Sequence, residues 1–383
     1  MENELLKAAA HFPALLVTGP RRSGKTTLLR HAFPKAAYVL LEETDVVGRV
    51  RADPRAFLEA LATPVIIDEI QNAPELFTYL RARIDADTTS KGQWLITGSQ
   101  EPGLMRGVSE SMAGRTAVFS LLPMSSEEAP EITLLTGGFP EVLATPEAAD
   151  TWFRSYIQTY LERDVRAVTS IRDLATFRRF IALLASRCGQ MLNKTDLAAP
   201  LGVSIPTITQ WLSILEITGQ ILLVPPFHEN FGKRLVKTPK LYFADSGLAC
   251  HLLGVRDEAS LVTSPFLGPL FEGLVASEIA KYRLNRGRER GLYYFRDKQG
   301  LEVDFLLDDG NRHLTLIEAK ATRTPMPNDA RSVVRLAAAI KKHVVRAWLV
   351  HSGPPLAPAP IPLCPSVKAL AIGHLTACLA EGT

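Results

Sequence analysis

The stretch Leu15–Arg30, LLVTGPRRSGKTTLLR, constrains this chain more than any other part of it. An apolar run, Leu15-Leu16-Val17, leads into Gly19-Pro20-Arg21-Arg22-Ser23-Gly24-Lys25-Thr26-Thr27, and helix-forming residues follow. This is G-x-x-x-x-G-K-[ST] set between a predicted strand and a predicted helix, the context in which that pattern cradles phosphate. Gly19 and Gly24 let the backbone turn so that successive N–H groups point at a polyphosphate. The helix beginning near Lys25 aims the positive end of its dipole the same way. Pro20, Arg21, Arg22, Ser23 and Thr27 fill out the loop. The ligand this chemistry takes is ATP with Mg²⁺: Lys25 reaches the β- and γ-phosphates, and the Thr26 hydroxyl ligates the metal.

The second half of such a site is Pro64-Val-Ile-Ile-Asp68-Glu69, a run of β-branched residues ending in two carboxylates. It predicts a buried parallel strand with acids at its C-terminal tip. Asp68 is expected to hold the Mg²⁺ shell and Glu69 to activate the attacking water. Trp94–Ser99 reads as a further buried strand whose Thr97 or Ser99 would sense the γ-phosphate; a plain Gly-Ser turn is the alternative. Ser111-Met-Ala-Gly114-Arg115 precedes an apolar strand, Thr116–Leu122. Arg115, placed near the working edge of the sheet, would supply charge to a phosphoryl transition state in cis or from a neighbouring subunit; otherwise it is an ordinary surface arginine.

These residues (GPRRSGKTT, VIIDEIQ, LITGS, SMAGR and, further on, Gly137-Gly-Phe-Pro-Glu141) resemble the prokaryotic AAA-type ATPases. More narrowly they are similar to the branch that joins the ATPase to a C-terminal domain of unresolved function with a restriction-endonuclease-like core. The resemblance implies a parallel αβα ATPase module over residues 1–150, and Arg115 matches the family's Gly-Arg position.

From Thr151 the composition turns helical, and 151–238 reads as a second domain. Within it Asn193–Ile217 has the pattern of a helix-turn-helix, with a turn at Leu201-Gly202-Val203 and Ser204 as helix cap. Ile221–Val224 with Pro225-Pro226 would then be a wing. Thr207, Thr209 and Gln210 would face DNA, although that helix carries no Arg or Lys; Lys233, Arg234, Lys237 and Lys240 follow. A winged helix used only for packing fits the same residues.

Residues 239–383 hold a helical segment with Glu272 and Glu278, an expected strand pair (Tyr293–Arg296 and Glu302–Leu307), and the strand Leu314–Lys320. A helical Glu, Asp304, and Glu318-x-Lys320 are the parts of a PD-(D/E)xK nuclease core. Asp304 and Glu318 would share a Mg²⁺ while Lys320 orients water or stabilises a pentavalent phosphate. An inactive or regulatory version of the fold uses the same residues. Basic residues from Lys281 to Lys298, interleaved with Tyr282, Tyr293, Tyr294 and Phe295, suit a nucleic-acid backbone or form a solvated loop.

Totals add bounds. At 383 residues the chain exceeds one compact core. No apolar run reaches the ~18 residues of a membrane span, and no signal pattern opens the chain, so the expectation is a cytoplasmic protein without a membrane partner. Cys188, Cys250, Cys364 and Cys378 show no C-x-x-C spacing and read as free thiols. A net charge of +3 permits nucleic acid without demanding it. The combined expectation is an α/β chain: an AAA-type P-loop module, a winged-helix segment, and a nuclease-like α/β domain. It would hydrolyse ATP, act on or respond to nucleic acid (DNA first), and assemble as a homo-oligomer. The rival is an ATP-dependent switch that binds protein partners, with the C-terminal core as an inactive scaffold.

Overall fold

The computed structural model describes residues 1–99, 111–161, 174–227, 238–354 and 360–381. Lys233, Arg234 and Lys237 lie outside the described residues, as do the end of the helix expected from Thr151 and the middle of the Pro354–Pro365 stretch.

Strands buried on both faces cannot alternate polar and apolar residues, and β1 (Ala14–Gly19) and β3 (Val65–Asp68) are buried throughout. With β2 (Ala37–Leu40), β4 (Trp94–Ser99) and β5 (Thr116–Ser120) they form an all-parallel sheet in the order β2-β3-β4-β1-β5. Leu16, Ile67 and Ile96 pack on one face against Leu76, Phe77 and Leu80. Leu15, Val17, Ile66 and Leu95 pack on the other against Leu5 and Leu29. Gly19, Asp68 and Ser99 all end their strands on one edge, because Leu40 pairs with Asp68 and Gly19 with Ser99.

The same register corrects one expectation. Arg115 directly precedes β5, whose Thr116 pairs with Ala14 at the start of β1. It therefore stands at the N-terminal edge of the sheet, a strand length from the phosphate loop, roughly 16 Å at the rise of an extended chain. There it pairs with Asp85 at 2.6 and 3.0 Å.

In the middle region the helical segments Lys194–Leu201 and Ile205–Ile217 are bent by 112° at the break between them, which holds Gly202 in the left-handed region. Asn193 and Ser204 cap them, Ser204 accepting from the Thr207 amide at 3.2 Å. Trp211 anchors the longer helix between Phe177 and Phe180. Then β6 (Ile221–Val224) pairs antiparallel with β7 (Lys240–Phe243). Pro225 and Pro226, expected to follow the wing strand, lie against the next domain: the Tyr294 amide donates to the Pro225 carbonyl at 3.1 Å, and the Phe227 amide donates to the Tyr294 carbonyl at 2.7 Å.

The C-terminal sheet has the order β12-β13-β11-β10-β9-β8 and mixed direction. Its strands are β8 (Leu292–Arg296), β9 (Glu302–Gly310), β10 (His313–Lys320), β11 (Val344–His351), β12 (Ile361–Cys364) and β13 (Val367–Ala371). β8, β9 and β10 run as antiparallel neighbours, whereas β10, β11 and β13 are parallel. The helix Leu267–Leu284 covers one face through Phe271, Val275 and Ile279, and Arg331–Ala339 covers the other through Val333 and Leu336. β7 joins the two regions: Leu241 and Phe243 belong to the helical core before it, Tyr242 to the core of the C-terminal sheet. Among the described residues no single helix is long and apolar enough to cross a membrane.

Candidate functional site

Gly19 is where the loop leaves β1, with φ +145° and a Cβ position only 2.0 Å from the Leu121 carbonyl oxygen, so no side chain fits there. Gly24 then turns with φ +93° and opens the helix Lys25–Ala32. Lys25 is buried and folds its ammonium back onto the Pro20 and Gly19 carbonyls at 2.8 and 3.3 Å. Among the described residues the buried Ser23 hydroxyl has no hydrogen-bond partner, an arrangement that fits a phosphate oxygen. Beside it, Thr26 Oγ1 donates to Asp68 at 2.9–3.0 Å, placing hydroxyl and carboxylate together as a magnesium site needs.

Asp68 is held more firmly than its sequence context indicates. The Tyr38 hydroxyl donates to it at 2.7 Å, and the Thr97 hydroxyl donates as well. Burial and this bond to Asp68 push the Tyr38 pKa well above the usual phenol range. Thr97, considered as a γ-phosphate sensor, instead braces the acids: its Oγ1 also accepts from the Glu69 amide at 3.2 Å. Ser99 is placed by its backbone at the end of β4, level with Gly19. Glu69 sits at φ +59°, a left-handed conformation that is costly for a residue with a side chain. Its carboxylate accepts from Gln71 and faces the buried Arg21 guanidinium at 3.5 Å. Arg21, read from sequence only as a loop residue, is thus the cation that positions Glu69.

Ser23, Gly24, Lys25, Thr26 and Glu69 line a cleft of about 660 Å³ bounded by Arg22, Thr27, His31, Leu121, Met124 and Glu141. Arg22 and Glu141 pair at 3.3 Å across its mouth. The cleft wall belongs to a segment gripped from behind by the C-terminal domain. Lys281 Nζ donates to the Met124 carbonyl at 2.9 Å, and Glu278 accepts from the Ser126 amide and hydroxyl at 2.8 and 2.5 Å. Arg286 pairs with Glu127 at 3.1 Å. Glu272 and Glu278, two turns apart on one helix, therefore serve different ends.

Glu272 enters the second cluster. Phe305 pairs with Ile317 between β9 and β10, which sets Asp304 beside Glu318, and Asp304 Oδ2 accepts from the Ala319 amide at 3.0 Å. Lys320 pairs with Glu318 at 2.7 Å. Burial, then the Asp304 charge, push the Glu318 pKa up; the same two causes raise Glu272. The Glu318 Oε2 atom is buried and among the described residues has no hydrogen-bond partner, yet no group of three acidic, His or Cys side chains among those residues could hold a metal ion. Lys240, expected among the cations that follow the wing and face DNA, is instead buried here: its ammonium lies 2.9 Å from Glu272, 2.6 Å from Glu302 and 3.6 Å from Asp304.

The basic stretch is largely committed within the fold. Besides Arg286, Arg283 faces Asp309 at 4.0 Å, Arg290 faces Glu216 at 3.6 Å, and Arg296 faces Glu302 at 3.2 Å. Among the described residues Arg288 and Lys298 are exposed and without an ion pair. On the helix Ile205–Ile217, Thr209 donates to the Ile205 carbonyl, Thr207 shares a hydrogen bond with Ser204, and Gln210 is exposed.

Comparison with known proteins gives three successive family matches along the chain, with bounds of their own. Residues 11–129 match the model of the AAA domain, 128–259 a domain of unknown function (DUF8612), and 267–356 another (DUF4143). The uncharacterized protein Rv2008c of Mycobacterium tuberculosis and the uncharacterized protein Mb2031c of Mycobacterium bovis are each 34% identical over 328 residues, spanning 84% of this chain and 73% of theirs. Among solved structures, the Walker-type ATPase PABY2304 of Pyrococcus abyssi covers 66% of this chain and 94% of its own at 15% identity (TM-score 0.40). AMPPCP-bound DnaA from Aquifex aeolicus covers 56% and 85% at 12% identity (TM-score 0.29). Residues 11–129 are thus an AAA domain with a parallel-sheet P-loop fold.

Proposed function

The chain belongs to the family of the mycobacterial proteins Rv2008c and Mb2031c, and from that premise we propose that it binds ATP and Mg²⁺ and hydrolyses ATP to control its C-terminal domain. The observation that carries this reading is the meeting of Lys25, Thr26, Asp68 and Glu69 at one sheet edge beside the unpartnered Ser23 hydroxyl. The phosphate loop and Lys25 hold the polyphosphate, and Thr26 and Asp68 hold the metal, which when bound neutralises charge on the phosphate oxygens. Glu69 accepts a proton from the attacking water. Arg21 and Gln71 fix the Glu69 carboxylate until substrate arrives. Arg115 is too far to act on its own subunit's site, so any catalytic part for it is in trans, within a homo-oligomer.

The response travels through Met124 and Ser126, which connect the cleft wall to Lys281 and Glu278. What it controls is action on nucleic acid, DNA in the first instance. The helix-turn-helix with its β6–β7 ribbon acts as a winged helix. The domain built on Asp304, Glu318 and Lys320 acts as a PD-(D/E)xK core, whose first two residues would hold a divalent ion. Residues 1–150, 151–238 and 239–383 are the corresponding functional units of a cytoplasmic protein.

One observation favours a second reading, an ATP-driven switch for protein partners on an inactive scaffold: most arginines of the basic stretch are spent on internal carboxylates. ATP turnover with and without single- and double-stranded DNA separates the two. Stimulation by DNA supports action on nucleic acid, and an unchanged rate with no DNA binding supports the switch.

A further inference from the structure

Gly137-Gly138-Phe139-Pro140-Glu141 runs from the wall of the nucleotide cleft toward the middle region, and its backbone is pressed from both sides. At Gly137, which has φ +63°, a Cβ would stand 2.2 Å from the Asp245 carboxylate; at Gly138 it would stand 2.1 Å from the Met124 carbonyl oxygen. The Gly138 amide donates to Asp245 at 2.7 Å, and the Gly138 carbonyl accepts from the Met124 amide at 2.8 Å. Phe139 is buried against Trp152, Phe153 and Tyr156. Pro140 then opens the short helix Pro140–Ala144. The segment is thereby fixed, and Glu141 is held at the mouth of the cleft.

The two oxygens of the Glu141 carboxylate differ in their contacts. Oε1 accepts from the Arg22 guanidinium at 3.3 Å, whereas Oε2 is buried and among the described residues has no hydrogen-bond partner. A buried carboxylate oxygen needs a donor, because an ionised carboxylate can only accept. The phosphates of a nucleotide offer no such donor; its ribose hydroxyls and the exocyclic amine of adenine do. Arg22 belongs to the phosphate loop, so Glu141 is tied to the part of the cleft that takes the phosphates. The portion of a nucleotide next to its phosphates is the sugar. The same guanidinium offsets the repulsion between this carboxylate and the phosphates. The apolar lining, Leu121, Leu122, Met124 and Pro140, suits the faces of a base.

We propose that Glu141 is a specificity-determining residue of the nucleotide site: its Oε2 accepts from the ribose hydroxyls, so that the cleft selects ribonucleotides over their deoxy forms. The inference deepens the reading of the cleft as an ATP site and rests on it.

The test is calorimetric titration of the full chain with ADP, 2′,3′-dideoxy-ADP and inosine diphosphate. Wild type should bind ADP roughly ten- to hundredfold more tightly than the dideoxy form, the range for one hydrogen bond to a charged group. Glu141→Ala should bring the two affinities together, and Glu141→Gln, which keeps an acceptor oxygen without the charge, should give an intermediate ratio. Arg22→Ala should keep the two affinities apart even where it weakens ADP itself. The ratio is a readout that a merely structural part for Glu141 would leave unmoved. Equal binding of ADP and the dideoxy form by wild type overturns the proposal without any variant and leaves the ATP reading standing. So does a full ratio that survives in Glu141→Ala protein with a cooperative melt. Weaker binding of inosine diphosphate that Glu141→Ala abolishes, with the dideoxy form bound as tightly as ADP, would put the carboxylate at the base and overturn the proposal as well. No binding of any of the three would remove the nucleotide reading of the cleft and the proposal with it.

Discussion

Glu278 and Lys281 are 1% and 2% exposed, 3.2 Å apart, and fastened to Ser126 and Met124 on the back of the nucleotide cleft. Replacing Glu278 by Ala removes the acceptor of three hydrogen bonds and leaves the buried Lys281 ammonium with the Met124 carbonyl and, at longer range, the buried Asp245 carboxylate. Stranding one member of a buried pair costs about 3–5 kcal/mol. The double variant Glu278→Gln, Lys281→Met removes both charges while the amide still accepts from Ser126. Its cost falls to about 1–3 kcal/mol, that of the unpartnered Met124 carbonyl. Urea titration followed by circular dichroism should therefore rank wild type above the double variant, and the double variant above Glu278→Ala. The double variant should also keep basal ATP turnover, since Lys25, Asp68 and Glu69 are untouched, and lose its modulation by C-terminal ligands. A Glu278→Ala protein as stable as wild type would refute the reasoning, as would a double variant losing the summed cost of its two single changes.

Gly19→Ala should abolish nucleotide binding, because its Cβ would meet the Leu121 carbonyl oxygen at 2.0 Å; a nucleotide-bound melting shift equal to wild type would contradict this. Arg115→Ala should leave nucleotide affinity unchanged and barely move the melting temperature, because its pair with Asp85 stands at the surface; nucleotide titration and melting check both. His251, packed among Asp150, Arg154 and Arg256, has its pKa pushed down to about 4, chiefly by burial and then by Arg256. Because the folded value lies below the unfolded one near 6.5, stability is complete above pH 6.5 and falls as pH drops toward 4. The loss is on the order of 2 kcal/mol, and His251→Gln should flatten it in a pH series of melts.

Contiguity decided what was legible in the sequence. The phosphate loop and the Asp68-Glu69 strand tip are local patterns, and each carries its structural context in the flanking residues. The antiparallel β8–β9 pair and the capped helix Ile205–Ile217 were readable for the same reason. The partners that hold these residues were hidden because they lie far off in sequence. Arg21 reaches Glu69 across 48 residues, Tyr38 reaches Asp68 across 30, and Lys240 reaches Glu272 across 32. Arg115 shows a different failure. In a parallel sheet, a residue just before a strand stands at the opposite edge from residues just after one, and the motif alone does not display that direction. The basic stretch shows the same limit in its charge balance: Glu127, Glu216, Glu302 and Asp309, scattered along the chain, come back to meet its arginines.

The most direct measurement sets ATP binding and phosphate release side by side for wild type, Lys25→Ala and Glu69→Gln. Wild type should bind and hydrolyse, Lys25→Ala should lose both, and Glu69→Gln should bind ATP with near wild-type affinity while phosphate release stops. Binding by Lys25→Ala at wild-type affinity, or turnover by Glu69→Gln at the wild-type rate, would contradict the assignment of this cleft as an ATP-hydrolysing site.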